Sequence, residues 1–251
     1  MYSDYVNVVK DNLDKLPNEW TFKGNSNYTT ILENASKELG NQYIEVIGEE
    51  ILNYIKYIYN NDKYGNPIKN YFKFLNIIIE CSPSNFRYIY HAMLILKYLI
   101  SINKKEVDII EIGGGYGGLC YYLMKLSKYY NIIIKSYHIF DLKDVSKLQK
   151  LYIDNIIPDN NITTSSLDDD YSYLKEKSFL ISNYAFSELS EEYRKIYEEK
   201  VISKYISNGF MVWNNCKIYK FINKELREFR IEIEHPNSNY SNAMTNCFVY
   251  F

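Results

Sequence analysis

The densest chemistry in the chain lies in Val107–Gly118, VDIIEIGGGYGG. Five of the ten glycines fall between Gly113 and Gly118, and the acid Glu111 stands just ahead of them. Residues without a Cβ let the chain turn sharply and let a ligand lie directly on the backbone. Gly117 and Gly118 then open a helix whose free N–H groups and positive dipole end face that ligand. A carboxylate, a bare bend and a helix start in one run make a cradle for a small polar molecule.

Two cofactor classes fit the spacing. Gly113, Gly115 and Gly118 satisfy the G-x-G-x-x-G dinucleotide pattern. Glu111, Gly113, Gly115 and Gly117 equally satisfy acid-x-Gly-x-Gly-x-Gly, the form that holds S-adenosylmethionine (SAM). Glu111 separates the two. A carboxylate at the strand end repels a pyrophosphate and attracts the ammonium and sulfonium of SAM.

Other polar residues sit where a parallel sheet gathers its ligands. Asp141 ends the apolar run Ser136–Phe140, at the second strand tip, where a carboxylate accepts two hydrogen bonds from a ribose diol. Asp141 also suits the N-cap of the following helix, DLKDVSKLQKLYI, and both roles can hold. Ser165 and Ser166 follow a weak third strand within Ile156–Ser166, in position for adenine; the acids Asp168–Asp170 read as a solvated turn rather than a metal site. The fourth strand tip, NYAFSELS, aims Asn183, Tyr184, Ser187 and Glu188 towards reacting groups, because ligands bind beyond the carboxyl ends of such strands. Arg87, Tyr88 and His91 open a helix over about Asn85–Leu99, with Ser82 or Ser84 as its expected cap. Arg87 and His91 are four residues apart and share a face. A histidine there is as readily a core residue as a functional one.

Positioning these groups requires alternating strands and helices. From Val107 the pattern predicts strands Val107–Ile112, Ser136–Phe140, Phe179–Asn183 and Phe210–Trp213, with helices Gly118–Tyr130 and Glu191–Tyr205, and Gly209 ending a connection. This is an α/β chain with a mostly parallel sheet. The tail adds RIEIEHP and NCFVYF, read as an antiparallel hairpin between Ile231–Glu234 and Cys247–Phe251. Before Val107 the chain reads as helical. Asp4–Leu16, Thr29–Leu39 and Gln42–Tyr59 are amphipathic, the last with Ile44, Ile47, Ile51, Ile55 and Ile58 on one face. Asn18–Thr30 and Asn60–Lys69 read as loop and turn, and Tyr71–Ile79 as a short apolar element. The boundaries expected are a helical cap and substrate region over 1–104 and a cofactor-binding Rossmann-like domain over 105–251.

Composition narrows the partners. A chain of 251 residues with net charge −2 buries a full core and offers no basic stripe for nucleic acid. The 28 tyrosines follow a general bias towards Tyr, Ile, Asn and Lys, although a tyrosine-lined cleft also suits a sugar. Cys81, Cys120, Cys216 and Cys247 stand apart, with no C-x-x-C pair, so neither a zinc site nor a disulfide framework is indicated. The N-terminal stretch MYSDYVNVVKDNLDKL lacks the basic lead and apolar run of a signal peptide, and no segment reaches the length of a membrane span. A cytoplasmic location is expected.

The chain resembles class I SAM-dependent methyltransferases and, within them, the sugar O-methyltransferase family. EIGGGYGG at Glu111–Gly118 and FDL at Phe140–Leu142 carry the fold-level likeness. NDKYGNP at Asn61–Pro67, SPSNFRYIYHA at Ser82–Ala92 and NYAFSELS at Asn183–Ser190 carry the family-level one, from about residue 60 onward. The resemblance implies a Rossmann-like SAM domain under a helical N-terminal region. It implies Glu111, Gly113, Gly115 and Asp141 as cofactor contacts, with Tyr116, Leu142, Ser166, Asn183 and Tyr184 counted beside them. It implies methylation of a sugar hydroxyl in a glycan or nucleotide-linked precursor, and leaves room for a homodimer.

A sugar hydroxyl is a poor nucleophile, so in-line methyl transfer is helped by a base. His91 has a suitable ordinary pKa and is the expected base, with Glu188 second; Arg87, Tyr88 and Ser187 are expected to hold the acceptor. One rival is an NAD(P)-dependent sugar-nucleotide oxidoreductase, which would carry its glycine turn near the chain start and a Tyr-x-x-x-Lys dyad. The turn here follows about 105 residues and EYRKIY lacks that spacing. The other rival is an inactive methyltransferase fold used for binding, which loss of the glycines or of Asp141 would favour; both are intact.

Overall fold

The computed structural model describes residues 2–216, 218–221, 223, 226, 228–237 and 246–251. The N-terminal part contains α1 (Tyr2–Leu13), α2 (Ser26–Thr29), α3 (Lys37–Ile47) and α4 (Ile55–Asn61), then the antiparallel hairpin β1 (Asn70–Phe74) and β2 (Ile77–Cys81), and the long α5 (Ser84–Ser101). There follow β3 (Glu106–Ile112), α6 (Gly118–Leu126), β4 (Ile133–Phe140), α7 (Lys143–Ile156), β5 (Ile162–Ser165), β6 (Ser178–Asn183), α8 (Ala185–Glu188), α9 (Glu191–Tyr197), α10 (Ser203–Tyr205), β7 (Ile206–Trp213), β8 (Arg230–Ile233) and β9 (Cys247–Tyr250).

Strands β3 to β9 form one seven-stranded sheet in the order β5-β4-β3-β6-β7-β9-β8. The pairings from β5 through β7 are parallel; β9 runs antiparallel to β7 and to β8. A dinucleotide Rossmann sheet has the order 3-2-1-4-5-6. Here an antiparallel strand is inserted between the fifth strand and the last, which is the Rossmann-like fold of class I methyltransferases. The expected terminal hairpin is present, Ile231 facing Val249 and Ile233 facing Cys247. The loop joining its strands lies largely outside the described residues.

The central strands are apolar on both faces because helices cover both. Successive side chains alternate sides: Ile109 enters one core and Ile110 the other. The larger core runs from Val107, Ile109, Tyr137 and Phe179 through α5, α6 and α7 into the N-terminal Val9, Trp20, Phe22 and Tyr43.

Several elements differ from the sequence reading. Asn18–Thr30 is no solvent loop: Trp20, Phe22, Lys23 and Tyr28 are buried there. The helix expected over Gln42–Tyr59 breaks at Gly48, which has φ +66. Tyr71–Ile79 is the β1–β2 hairpin, its turn made by Leu75 at φ +52 in place of the usual glycine. Gly118–Tyr130 ends its α-helix at Leu126 and closes with a 3-10 turn. Glu191–Tyr205 is interrupted by a π turn at Glu198–Ile202. Gly209 lies inside β7, its N–H and C=O both paired with Phe251. Helix α5 starts after Pro83, without a serine side-chain cap. Among the described residues no helix is long and apolar enough to cross a membrane.

Candidate functional site

The end of β3 and the bend after it behave as the residue types dictate. Gly113, Gly115 and Gly117 have φ of +76, +58 and +92, conformations that residues with a Cβ seldom adopt. A Cβ on Gly113 would stand 2.1 Å from Ala185 Cβ, and one on Gly115 2.6 Å from Leu32 Cδ1. The backbone is therefore approached closely from α8 on one side and from the N-terminal segment on the other.

Glu111 is buried beside this bend. A Cβ on Gly114 would lie 3.1 Å from Glu111 Oε2. Tyr137 donates to that oxygen at 2.7 Å. Burial nonetheless raises the carboxyl pKa to about 7, the hydrogen bond opposing it and the nearby Asp141 adding to it. Asp141, at the tip of β4, accepts from Gly115 N–H at 3.0 Å and from Leu142 N–H at 2.8 Å. Leu142, not Asp141, is the N-cap residue of α7, so the carboxylate braces the glycine bend instead of capping the helix. Burial raises its pKa to about 6, opposed by those two N–H donors. Two of its four acceptor positions are used, and two remain for a diol.

The tip of β6 is strained. Tyr184 holds φ +65 and ψ −37, a conformation that costs about 1–3 kcal/mol. Its N–H is held by Val212 O and its hydroxyl donates to Glu234. The Arg87 guanidinium lies 6.0 Å from the Tyr184 ring centroid and donates to Asn34 Oδ1 at 2.8 Å. Asn183 meets His91 with its Nδ2 2.9 Å from Nδ1, which puts the ring proton on Nε2. Arg87 Nε, His91 Nε2 and Asn183 Oδ1 are buried polar atoms without a protein partner, all near this strand tip.

The surroundings of His91 do not suit the base expected of it. The ring is fully buried among Tyr43, Tyr184, Phe210 and Phe248. Burial, with the Arg87 charge adding to it, lowers its pKa to about 3. In this free state the imidazole touches no solvent and its surroundings favour the neutral form. Glu188 is exposed on the rim, accepting from Asn214 Nδ2 at 2.8 Å. Ser187 Oγ donates to Tyr184 O at 2.6 Å. Tyr88 packs edge-on to Tyr116, ring centroids 5.9 Å apart, against the start of α6. Leu142 is exposed. Ser166 is tied by its N–H and hydroxyl to Asp169 Oδ2, both at 2.8 Å, while Asp170 accepts from Ser172 N–H. The three acids are thus a turn, as read.

Tyr116 turns inward rather than out of the bend. Its hydroxyl donates to Glu33 Oε1 at 2.7 Å and accepts from Asn61 Nδ2 at 3.2 Å. Lys23 Nζ lies 4.1 Å from its ring centroid and donates to Asn61 O and Tyr152 Oη, each at 2.6 Å. Burial lowers the Lys23 pKa to about 8. Asp62 accepts from Ser82 N–H at 2.6 Å and Asn85 Nδ2 at 2.9 Å, its pKa raised to about 6 by burial. This buried network bolts the N-terminal region to the glycine bend. Asn61, Asp62, Ser82 and Asn85 lie within the quoted motifs NDKYGNP and SPSNFRYIYHA, which supplied the signal without the role. Glu33 and Lys23 carried none, being single charges in polar stretches.

No known family profile matches the chain, and no curated protein matches it. Among solved structures it is similar to the methyltransferase domain of bacterial CtHen1, at 13% identity and TM-score 0.45, over 64% of this chain and 96% of that one. It is similar to an S-adenosyl-L-methionine-dependent methyltransferase from Methanococcus maripaludis, at 12% identity and TM-score 0.44, over 68% and 87%. CalS10, an amino pentose methyltransferase from Micromonospora echinaspora, aligns at 8% identity and TM-score 0.38, over 51% and 50%. The strand order and the inserted antiparallel strand of this chain, rather than such distant likenesses, give it the class I methyltransferase fold.

Proposed function

We propose that this protein is a SAM-dependent O-methyltransferase acting on a sugar hydroxyl. The observation that carries the reading is the Glu111 carboxyl, buried against the bare backbone of Gly114 and raised to a pKa of about 7. Desolvation penalises its charge, and a cation in the bend relieves that penalty where a pyrophosphate would deepen it. The rest of the donor set fits the same molecule. Gly113 and Gly115 give the positive-φ bend, Asp141 keeps acceptor positions for a ribose diol, and the orphaned Arg87 Nε and Asn183 Oδ1 suit a zwitterionic amino-acid end. SAM supplies an electrophilic methyl group. The residues of this chain would bind and orient it.

The sugar acceptor is supported by the resemblance carried by SPSNFRYIYHA and NYAFSELS. Calorimetry with SAM and with NADH on the same preparation tests the cofactor. SAM is expected to bind and NADH to give no heat; the reverse result sinks the proposal. Labelled SAM incubated with glycan fractions then tests the acceptor, with label expected in a sugar methyl ether.

A further inference from the structure

One segment of the N-terminal region touches both the glycine bend and a separate cavity. Leu32 lies against Gly115, while its neighbours Glu33 and Asn34 line a cavity of about 590 Å³ with Thr29, Thr30 and Asn70. Ile68 and Pro83 form its apolar wall. The volume falls in the range of small-molecule sites. Its described lining holds hydroxyls, amides and one carboxylate, and no cationic side chain. Such a lining binds hydroxyl groups well, and it offers a phosphate no cationic side chain and sets the Glu33 carboxylate against it.

Glu33 is built for more than solvation. Its backbone holds φ +54, a conformation rare for a glutamate and concentrated at functional sites. Its carboxylate is fixed by two donors, Tyr116 Oη at 2.7 Å on Oε1 and Ser82 Oγ at 2.5 Å on Oε2. Tyr116 belongs to the glycine bend and Ser82 immediately precedes Pro83 and α5. Each oxygen retains a further lone pair. A half-buried carboxylate, held by Tyr116 and Ser82 and lining a cavity without a cationic side chain, is placed to meet a hydroxyl.

Resting on the methyltransferase reading, we propose that this cavity receives the acceptor as an uncharged polyhydroxyl chain end, and that Glu33 takes the proton of the reacting hydroxyl. The hydroxyl oxygen bonds to the methyl carbon of the sulfonium donor. The carbon–sulfur bond breaks with its electron pair left on sulfur, and the hydroxyl proton passes to a Glu33 oxygen. The catalytic carboxylate is then Glu33 rather than Glu188, and nucleotide-linked sugars are excluded as acceptors.

The test pairs a binding readout with a rate. On an array of neutral and phosphate-bearing glycans, the protein with SAM analogue bound is expected to retain neutral glycans only. Thr30→Trp, which fills the cavity from an exposed position, is expected to abolish that retention while leaving the SAM dissociation constant within about threefold of the parent. Glu33→Gln is expected to keep SAM and glycan binding, with KM within about threefold of the parent, and to lose ~10²–10⁴ in kcat. Retention of phosphate-bearing glycans, an empty array, neutral-glycan binding that survives Thr30→Trp, or unchanged turnover in Glu33→Gln overturns the proposal. Failure to bind SAM at all overturns instead the methyltransferase reading beneath it.

Discussion

Tyr137 and Glu111 sit diagonally on neighbouring strands, and the phenol donates to the carboxylate at 2.7 Å. That one bond does not offset the desolvation of a fully buried acid, and the pKa stands near 7. A group whose folded pKa exceeds its unfolded value binds extra protons in the folded state. Its stabilising share is complete below about pH 4.5 and is lost as pH rises through about 7. Glu111→Gln keeps an oxygen for Tyr137 and removes the charge. It is therefore expected to stabilise the free protein at pH 8 by on the order of 1–3 kcal/mol, read as a higher melting temperature, with little effect at pH 5. Melting curves at the two pH values decide it; equal shifts at both would sink the argument.

The same carboxyl makes cofactor binding release a proton. A cation beside Glu111 lowers its pKa, so the free protein must lose a proton on binding wherever the carboxyl is protonated. SAM affinity should strengthen by up to about tenfold per pH unit below 7 and level off above it. Calorimetry in buffers of different ionisation enthalpy counts the proton directly. Glu111→Gln is expected to bind weakly and without that pH slope. A parent affinity that is flat between pH 5.5 and 8 would remove Glu111 from the cation's neighbourhood.

Gly115 carries two constraints at once. Its φ of +58 strains any residue with a Cβ, and its Cβ direction points into the Leu32 side chain at 2.6 Å. The strain costs about 1 kcal/mol. Leu32 must also retreat, and Glu33 and Asn34 are its neighbours. Gly115→Ala is expected to lower the melting temperature by a few degrees and SAM affinity by at least tenfold. Gly115→Ala combined with Leu32→Ala relieves the contact but not the backbone strain, so the pair should recover only part of both losses. Full recovery in the double variant would show that φ is not limiting.

The glycine bend was legible because its conformation is local. Glu111, the glycines and the acid at the next strand tip lie within thirty-one residues, Glu111–Asp141, and each acts through the chain conformation at its own position. The parallel sheet was legible for the same reason, since doubly buried strands announce themselves as apolar runs. What stayed hidden depends on distant partners. Glu33 is one acid in ILENASKEL, and its role arises only when Tyr116 and Ser82 arrive from 83 and 49 residues away. Helical spacing put His91 on the face of Arg87 correctly, but spacing cannot distinguish a cleft from an aromatic core. The β1–β2 hairpin escaped because Leu75 makes its turn without a turn residue.

The pairing of His91 with Asn183 yields the last expectation. With the imidazole neutral and its pKa near 3, folding excludes a proton that the unfolded chain accepts below about 6.5. The protein should therefore lose stability as pH falls from about 6.5 towards 3, with up to about 1.4 kcal/mol per unit from this residue. His138, lowered to about 4 by burial, adds in the same direction. His91→Gln is expected to flatten the dependence of melting temperature on pH between 6.5 and 4.5 without eliminating it. Removing one member alone leaves its partner buried without a bond: His91→Phe strands the Asn183 amide, and Asn183→Leu strands Nδ1, each at about 1–3 kcal/mol. Removing both by His91→Phe with Asn183→Leu should cost less than the sum, by roughly 0.5–2 kcal/mol. On the proposed cofactor reading, in which the unpartnered Asn183 Oδ1 serves SAM, the double variant should bind SAM poorly, because no apolar side chain replaces that oxygen. Additive stabilities together with intact SAM binding would mean that the pair neither acts as a unit nor faces the site.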